Sequence, residues 1–391
     1  MWPFSRLQHE LTVAVFDIGS SSVGGILFQH HPNKLSEVLT SARFSTDFFP
    51  DLDFQKIQRS LHKTFERTIA ALKRRMPKDW KRPDATIIIF SSPYYISQNK
   101  VIRFSKPKPF EITEKTLEEI VVNEIAAFKK KWEAEHQPVE ILEYEEMKIN
   151  LNGYPIKKPI GKHALSVEIS LHVSLGIKII QDKLRECIAH SFGVMPLLFR
   201  SFPFVAFNAL KDVVDISRDL LLIDIGGEIT DLAMIKGGVL EEVISFPFGE
   251  NLLIRRIASV FNFSLEESSV LLGQYVRGDL HAETKEKVRK IIEDASGKWC
   301  QFFKDAVKSS AEFSYFPSNL LFIGGKGALA IKDFAACVKE KPFTSQFLLP
   351  EAFKSRFIFR KGFNEDKDIS LMVLSLYADK LFLEKQPWQN L

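Results

Sequence analysis

Apolar residues follow two rhythms along this chain. Short apolar runs close to glycines recur at residues 13–16, 26–28, 85–90, 220–223, 232–235 and 320–323. Runs of this length without polar alternation are expected of strands covered on both faces. Elsewhere the spacing switches to three and four. Phe54, Ile57, Leu61, Phe65, Ile69, Leu72 and Met76 mark one amphipathic helix, stopped by Pro77. Leu117, Ile120, Val121, Ile125, Phe128 and Trp132 mark a second. Val288, Ile291, Ile292, Ala295, Trp299, Phe302 and Val307 mark a third, in which Gly297 is a tolerated weak point. Further helices are predicted over 177–192, 202–213, 251–261 and 368–384, and strands over 36–49 (with a loop) and 239–246. Thr116 with Glu119, and Ser264 with Glu267, have capping-box spacing.

Between about residues 93 and 200 the pattern differs. A strand near 100–104, the second helix, extended segments at 139–151 and 164–175 and a further helix succeed one another without glycine-rich turns. In the later extended segment Leu165, Val167, Ile169, Leu171 and Val173 alternate with Ser166, Glu168, Ser170 and His172, as in a sheet packed on one face only. The expected organisation is an α/β unit over 10–92, an inserted small α+β unit over 93–200, and a second α/β unit over 201–385.

The candidate chemistry sits in turns. Residues 219–238 read DLLLIDIGGEITDLAMIKGG: an apolar strand, Asp224, Gly226 and Gly227, Thr230 and Asp231, then a second apolar strand. Residues 13–28, VAVFDIGSSSVGGILF, repeat that plan with Asp17, Gly19 and the hydroxyls of Ser20, Ser21 and Ser22. An Asp at a strand end can hold a hydrated Mg²⁺, glycines let backbone N–H groups approach phosphates, and hydroxyls can reach a terminal phosphate. A dinucleotide-binding fold would need a helix straight after the glycines; here a strand follows. One such unit in each half implies a duplicated architecture whose halves face each other. Near the end of the chain, LLFIGGKGA runs a strand into Gly324, Gly325 and Lys326, where a helix N-terminus suits phosphate or ribose contact.

In this order and spacing the three segments resemble the phosphate-one, phosphate-two and adenosine motifs of the actin-like ATPase superfamily. Within it the chain is most similar to the FtsA-type division proteins, with the PilM-type proteins of type IV pilus assembly close behind. The resemblance spans nearly the whole chain, including SFPFGENLLIRRIASVFNFSLEES (residues 245–268) and NGYPIKKPIGKHALSVEISL (residues 152–171). It implies an α/β fold of duplicated actin-like (ribonuclease-H-like) domains around a nucleotide cleft, with an SHS2-type insert as interaction surface. It implies ATP and Mg²⁺ as ligands. Asp17, Gly19, Ser20, Ser21, Ser22, Asp224, Gly226, Gly227, Thr230, Gly324, Gly325 and Lys326 would contact the nucleotide, and Asp17 and Asp224 would hold the metal through water. It further implies a scaffold with at most slow ATPase activity, linking an FtsZ-like partner to the membrane, with self-polymerisation. A PilM-type pilus-assembly role, a pseudo-ATPase scaffold with a poorly occupied cleft, and a sugar- or acetate-type kinase are the alternatives. A kinase needs a positioned carboxylate base, which this sequence does not single out.

Several positions depart from the family pattern. Glu228 and Ile229 stand where phosphate-two has its third glycine and first threonine, and Gly24 stands where relatives often carry a lysine. Ser269 and Leu272 replace an acid and a base that grip the nucleoside in FtsA-type chains. In place of FtsA's amphipathic tail, Trp2, Phe4, Arg6 and Leu7 are the one candidate for membrane contact, and a frayed N-terminus is the plainer expectation.

Composition adds limits. The 391 residues, 45% of them apolar, suffice for sizeable cores in two domains, and the 34 Phe residues read as core filling. Basic residues (53) nearly balance acidic ones (49), which argues against nucleic acid as partner. Basic clusters at 73–75 and 129–131 fall late in predicted helices, where cations meet the helix dipole. Cys187, Cys300 and Cys337, without a CxxC spacing, fit a reducing compartment and no cysteine metal site. With no apolar stretch of about 18 residues, the chain is expected to be cytoplasmic, with at most peripheral membrane contact.

Overall fold

The glycine-bounded apolar runs do become strands, in a computed structural model that describes residues 10–47, 54–76, 82–211, 213–309, 317–324, 326–330, 344–360 and 368–383. The chain opens with β1 (Leu11–Ile18), β2 (Ser22–His30), β3 (Ser36–Ser45), α1 (Phe54–Arg75) and β4 (Ala85–Phe90). There follow β5 (Tyr95–Glu111), α2 (Glu114–Glu133), β6 (Val139–Leu151), β7 (Tyr154–Pro155), β8 (His163–Ile177), α3 (Lys178–Phe192), β9 (Leu197–Ser201) and α4 (Phe202–Leu210). The second half runs through β10 (Leu220–Ile225), β11 (Thr230–Lys236), β12 (Val239–Phe246), α5 (Glu250–Phe261), α6 (Leu265–Arg277) and α7 (Ala282–Ser309). It ends with β13 (Asn319–Gly324), α8 (Lys326–Ala330), β14 (Thr344–Phe347), β15 (Phe357–Phe359) and α9 (Ile369–Leu383).

One sheet has the order β15-β3-β2-β1-β4-β9 and another β12-β11-β10-β13-β14. In each, an antiparallel meander of three strands is extended by parallel strands on the side of its first strand. The two hairpins read from the sequence are therefore the opening strands of one repeated topology.

Alternation along the strands creates layers. On β1, Val13 and Val15 join one core while Ala14, Phe16 and Ile18 join another. On β10, Leu220 and Leu222 face the first of these cores, and Leu221, Ile223 and Ile225 a third. Both sheets are thus covered on both faces, which is why their strands read as unbroken apolar runs. Between the sheets lie α4 and α9. Of α4's nine residues eight are buried, and α9 buries Leu371, Met372, Val373, Leu374, Leu376 and Ala378 around its circumference, as expected of a helix enclosed on all sides. Helix α9 packs on β1 and β2 on one side and on β13 on the other.

The four-stranded sheet β5-β8-β6-β7 carries α2 on one face. It is stitched to the first sheet by Arg200, which donates to the Leu142 carbonyl (2.7 Å) and to Tyr377 Oη (3.2 Å), and by Glu143, which accepts from Ser201 N–H (2.9 Å). Strand β5 is longer than its sequence predicts because β8 offers a ladder along its length, interrupted between Ser105 and Phe110. The N-cap of α2 is Thr113, whose hydroxyl accepts from Thr116 N–H at 3.1 Å; Thr116 lies inside the helix. Ser264 and Glu267 do form the expected capping box. Cys187 is a free, buried thiol, whereas Cys300 is disulfide-bonded, a departure from the expected reduced state. Among the described residues no helix is long and apolar enough to cross a membrane.

Leu374, fully buried in the layer between the sheets, tests this arrangement. Leu374→Ala is expected to lower stability by about 2–5 kcal/mol, seen as a lower urea midpoint with unchanged slope; an unchanged midpoint would show that α9 is not clamped between the sheets.

Candidate functional site

The tips of the β1–β2 and β10–β11 hairpins meet. Each tip closes alike: Gly19 N–H donates to the Ser22 carbonyl and Gly226 N–H to the Ile229 carbonyl, both at 3.0 Å. Across the gap Glu228 N–H donates to Ser20 Oγ at 3.0 Å. A Cβ on Gly227 would lie 2.2 Å from the Ser21 side chain, and one on Gly249 would lie 2.3 Å from the Gly227 carbonyl oxygen. Only glycine allows these approaches. The first amides of α5, on Glu250 and Asn251, donate to the carbonyls of Gly226 (2.9 Å) and Gly227 (2.8 Å) and hold the second tip in place. Beside the tips opens a cleft of about 1420 Å³ between the two sheets.

At its floor acidic side chains converge. Asp17 ends β1 and is 95% buried (5% exposed). It accepts from Arg43 Nη2 and from Ser370 Oγ, each at 2.9 Å. Arg43 also donates to Asp368 Oδ1 (2.7 Å), Ser22 Oγ (2.9 Å) and Ser370 Oγ (2.8 Å). It stands opposite Gly24 in the β2–β3 register, and a Cβ on Gly24 would lie 2.6 Å from its guanidinium. The arginine lies across the glycine. Thus the lysine missing at position 24 is offset by a cation from the neighbouring strand.

Asp231 accepts from three hydroxyls: Ser92 (2.7 Å), Ser245 (2.5 Å) and Tyr95 (3.3 Å). Burial nevertheless raises its pKa, with those hydroxyls opposing. Asp224 differs. Among the described residues it has no hydrogen-bond or ion-pair partner, and it lines the same cleft. Burial, then the charges of Asp231 and Asp17, push its carboxyl well above the usual range, with Arg43 opposing. Four carboxylates, those of Asp17, Asp224, Asp231 and Asp368, share one guanidinium at this floor. That donor set, hard oxygens short of a counter-charge, fits a divalent cation such as Mg²⁺ held through water.

Asp17, Gly19, Ser20, Ser21, Ser22, Asp224, Gly226, Gly227 and Gly324 all line this one cleft. Thr230 does not. It is fully buried behind the hairpin, its hydroxyl donating to the Phe248 carbonyl (2.6 Å) and accepting from Trp299 Nε1 (3.2 Å). Gly325 lies outside the described residues, and Lys326 opens α8. Glu228 carries no loose charge, because Asn251 Nδ2 (2.8 Å) and Arg255 bind its carboxylate. On the far side Leu265, Glu266 and Ser269 of α6 face the cleft beside Ile254, Leu349 and Pro350. Leu272 points the other way, into the core beneath α6, so it is not the base-side contact its alignment implied. Arg43, Asp368 and Ser370 are residues that sequence reasoning missed. The one signal was the glycine pair inside β2, since a strand glycine marks close approach of another group.

No family model and no curated protein matches this sequence. Among solved structures, the chain is similar to the PilM–PilN type IV pilus biogenesis complex, at 14% identity and a TM-score of 0.66, covering 97% of this chain and 99% of that one. It is also similar to the ethanolamine utilization protein EutJ from Carboxydothermus hydrogenoformans (12% identity, TM-score 0.46, 95% and 91% covered). MreB5 of Spiroplasma citri bound to ADP gives 10% identity, a TM-score of 0.46 and coverage of 95% and 97%. The fold is the actin-like one, two related α/β domains about a cleft.

Asp224 carries a checkable consequence. With its folded pKa raised above the unfolded value, the native state binds that proton more tightly, so stability falls as pH rises through the interval between the two values. Asp224→Asn removes the penalty. Without added metal or nucleotide the variant is expected to melt higher than the parent at neutral pH, and the two should converge below the ordinary carboxylate range. A variant that melts lower at neutral pH would mean the carboxylate is satisfied in the native state.

Proposed function

We propose that the cleft takes a Mg²⁺-bound nucleoside triphosphate and that the chain is a nucleotide-dependent assembly scaffold of the PilM type. The observation that carries the ligand is Asp224, a partnerless carboxylate beside Asp17 and Asp231 under two glycine hairpins. Mg²⁺, when bound, supplies charge neutralisation between carboxylates and phosphates, with Asp17 and Asp224 holding it through water. Ser20, Ser21 and Ser22 offer hydroxyls to the phosphates, and Gly19, Gly226 and Gly227 leave the backbone open to them. Arg43, steadied by Asp368 and Ser370, stands ready to exchange Asp17 for a phosphate oxygen. Gly324, Ser269 and the apolar residues Ile254, Leu265 and Leu349 are left for the nucleoside, with Lys326 following Gly324 and Gly325 in the chain.

The full-length likeness to the PilM–PilN structure supports a pilus- or secretion-type assembly role over the FtsA-type division role, and with it a PilN-like partner in place of an FtsZ-like one. In this reading residues 10–92 and 201–385 hold the nucleotide and 93–200 hold the partner. A groove of about 780 Å³ on that unit, lined by apolar residues such as Leu117, Ile149 and Ile160 together with Glu114, Glu146, Lys148 and Lys157, suits an amphipathic peptide segment. A second reading, a scaffold with a self-filled cleft, is favoured by the Arg43–Asp17 pair and the Ser20–Glu228 bond, which already engage groups a nucleotide would need.

Titrating ATP and GTP with and without Mg²⁺ separates the readings. With Ser269 in place of an acid and Leu272 turned into the core, each charge-assisted bond lost costs about 1.5–3 kcal/mol, tenfold or more in affinity. The expected behaviour is Mg²⁺-dependent, weak binding with little preference between the bases and slow turnover, abolished by Asp17→Asn with Asp224→Asn. No binding of either nucleotide would overturn the ligand and leave the self-filled scaffold. Ile160→Asp should release the partner in pull-downs while nucleotide affinity stays within a few fold; unchanged capture would remove the groove from the proposal.

A further inference from the structure

We propose that the free end of the inserted sheet is a docking surface for an anionic lipid bilayer. One end of that sheet is anchored: Tyr95, at the start of β5, reaches Asp231 at the cleft floor, and β8 leads from Ile177 straight into α3. Strand β8 has 15 residues, about 50 Å at the usual rise, so its His163 end projects far from the cleft.

Five lysines gather on that end. Lys106 and Lys108 sit on the irregular stretch of β5. Lys157, Lys158 and Lys162 sit on the adjoining loop, which is pinned to β5 by hydrogen bonds from Ile112 N–H to the Lys162 carbonyl and from Gly161 N–H to the Ile112 carbonyl, both 2.8 Å. All five are exposed. Among the described residues none of the five forms an ion pair, Lys106 lying over the Phe110 ring (4.8 Å), whereas Lys100 pairs with Glu124 (2.6 Å), Lys115 with Glu119 (3.9 Å) and Lys129 with Glu133 (3.8 Å). The acids at this end, Glu111, Glu114 and Glu146, are outnumbered and leave it basic. Beside the lysines stand Tyr154, 76% exposed, and Leu165, 47% exposed, although the hydrophobic core of the sheet lies within reach.

The choice of cation identifies the partner. Phosphopeptides and base edges are recognised chiefly by arginine forks in fixed geometry, and the near balance of 53 basic and 49 acidic residues does not favour nucleic acid. Here the nearby arginine, Arg103, is engaged by Glu168 at 2.8 Å. Lysines are compact, strongly hydrated charges on flexible stems, suited to the diffuse field of a headgroup layer, and an exposed tyrosine next to them suits the membrane interface. The surface is independent of nucleotide binding. It also lies beside the partner groove, so a bound partner and a membrane could be engaged together.

Co-flotation of the full chain with phosphatidylcholine vesicles, with and without phosphatidylglycerol, tests the surface. Binding is expected only to the anionic vesicles and should weaken as salt rises. Each lysine near such a surface contributes on the order of fivefold. The variant with Lys106→Ala, Lys108→Ala, Lys158→Ala and Lys162→Ala should therefore lose two orders of magnitude or more, with unchanged melting temperature, partner capture and ATP titration. The matching four Lys→Arg changes should retain binding, and Tyr154→Ala should lower it severalfold. Equal binding to neutral vesicles, no binding to either, or full binding by the four-alanine variant would overturn the proposal. So would preferential binding to polyglutamate or to single-stranded nucleic acid at physiological salt.

Discussion

Two sheets, each buried on both faces, share a single helical layer made of α4 and α9, and most else follows from that constraint. Residues enclosed between sheets have no water to turn to, so polar side chains are pushed to the ends of strands, where the backbone ladder stops. Asp17 stands near the end of β1, Asp224 near the end of β10, and Gly324 closes β13. These ends point into one cleft because the shared layer sets the two meanders facing each other. The same layer brings Asp368 and Ser370, at the start of α9, to the side of Asp17, although they come from the other end of the chain.

Charge at the floor of the cleft is the second organising influence. Enclosed carboxylates repel one another and lose hydration, and the protein handles Asp17, Asp231 and Asp224 differently. Asp17 has an arginine and a serine, Asp231 has three hydroxyls, and Asp224 has neither. The Arg43–Asp17 pair is only partly exposed, so the arginine gives up Asp17 only to a stronger competitor. Under the proposed function a metal-bound phosphate would be one, and the nucleotide-bound and self-filled readings would then be two states of the same cluster. Glu228 illustrates the same economy: an acid set into a phosphate-type turn is tolerable here because Arg255 and Asn251 on α5 claim it.

The inserted sheet is held at one end and free at the other. Its anchored end shares buried polar contacts with β9 and the cleft. Its free end lies at the other end of the β5–β8 ladder, beyond the irregularity between Ser105 and Phe110.

Much of this was legible in the order of residues. Apolar runs and three-and-four spacing depend on burial within a few residues, so strands, helices, the Ser264 cap and the repeated hairpin could be read directly. The two Asp-Ile-Gly turns announced the cleft because a duplicated local pattern survives without any knowledge of packing. What the sequence could not show were relations through space. Arg43 reaches Asp17 only because β3 pairs with β2 in a register that sets it over Gly24, and Asp368 joins them only because α9 returns between the sheets. Thr230 and Leu272 sit at motif positions, yet their strand and helix turn them into the core beside Trp299 and away from the cleft. Lys106 and Lys162 lie far apart along the chain and become one charged surface when β5 and β8 pair. Local periodicity records whether a side chain is buried; register and chain crossings decide what it is buried against.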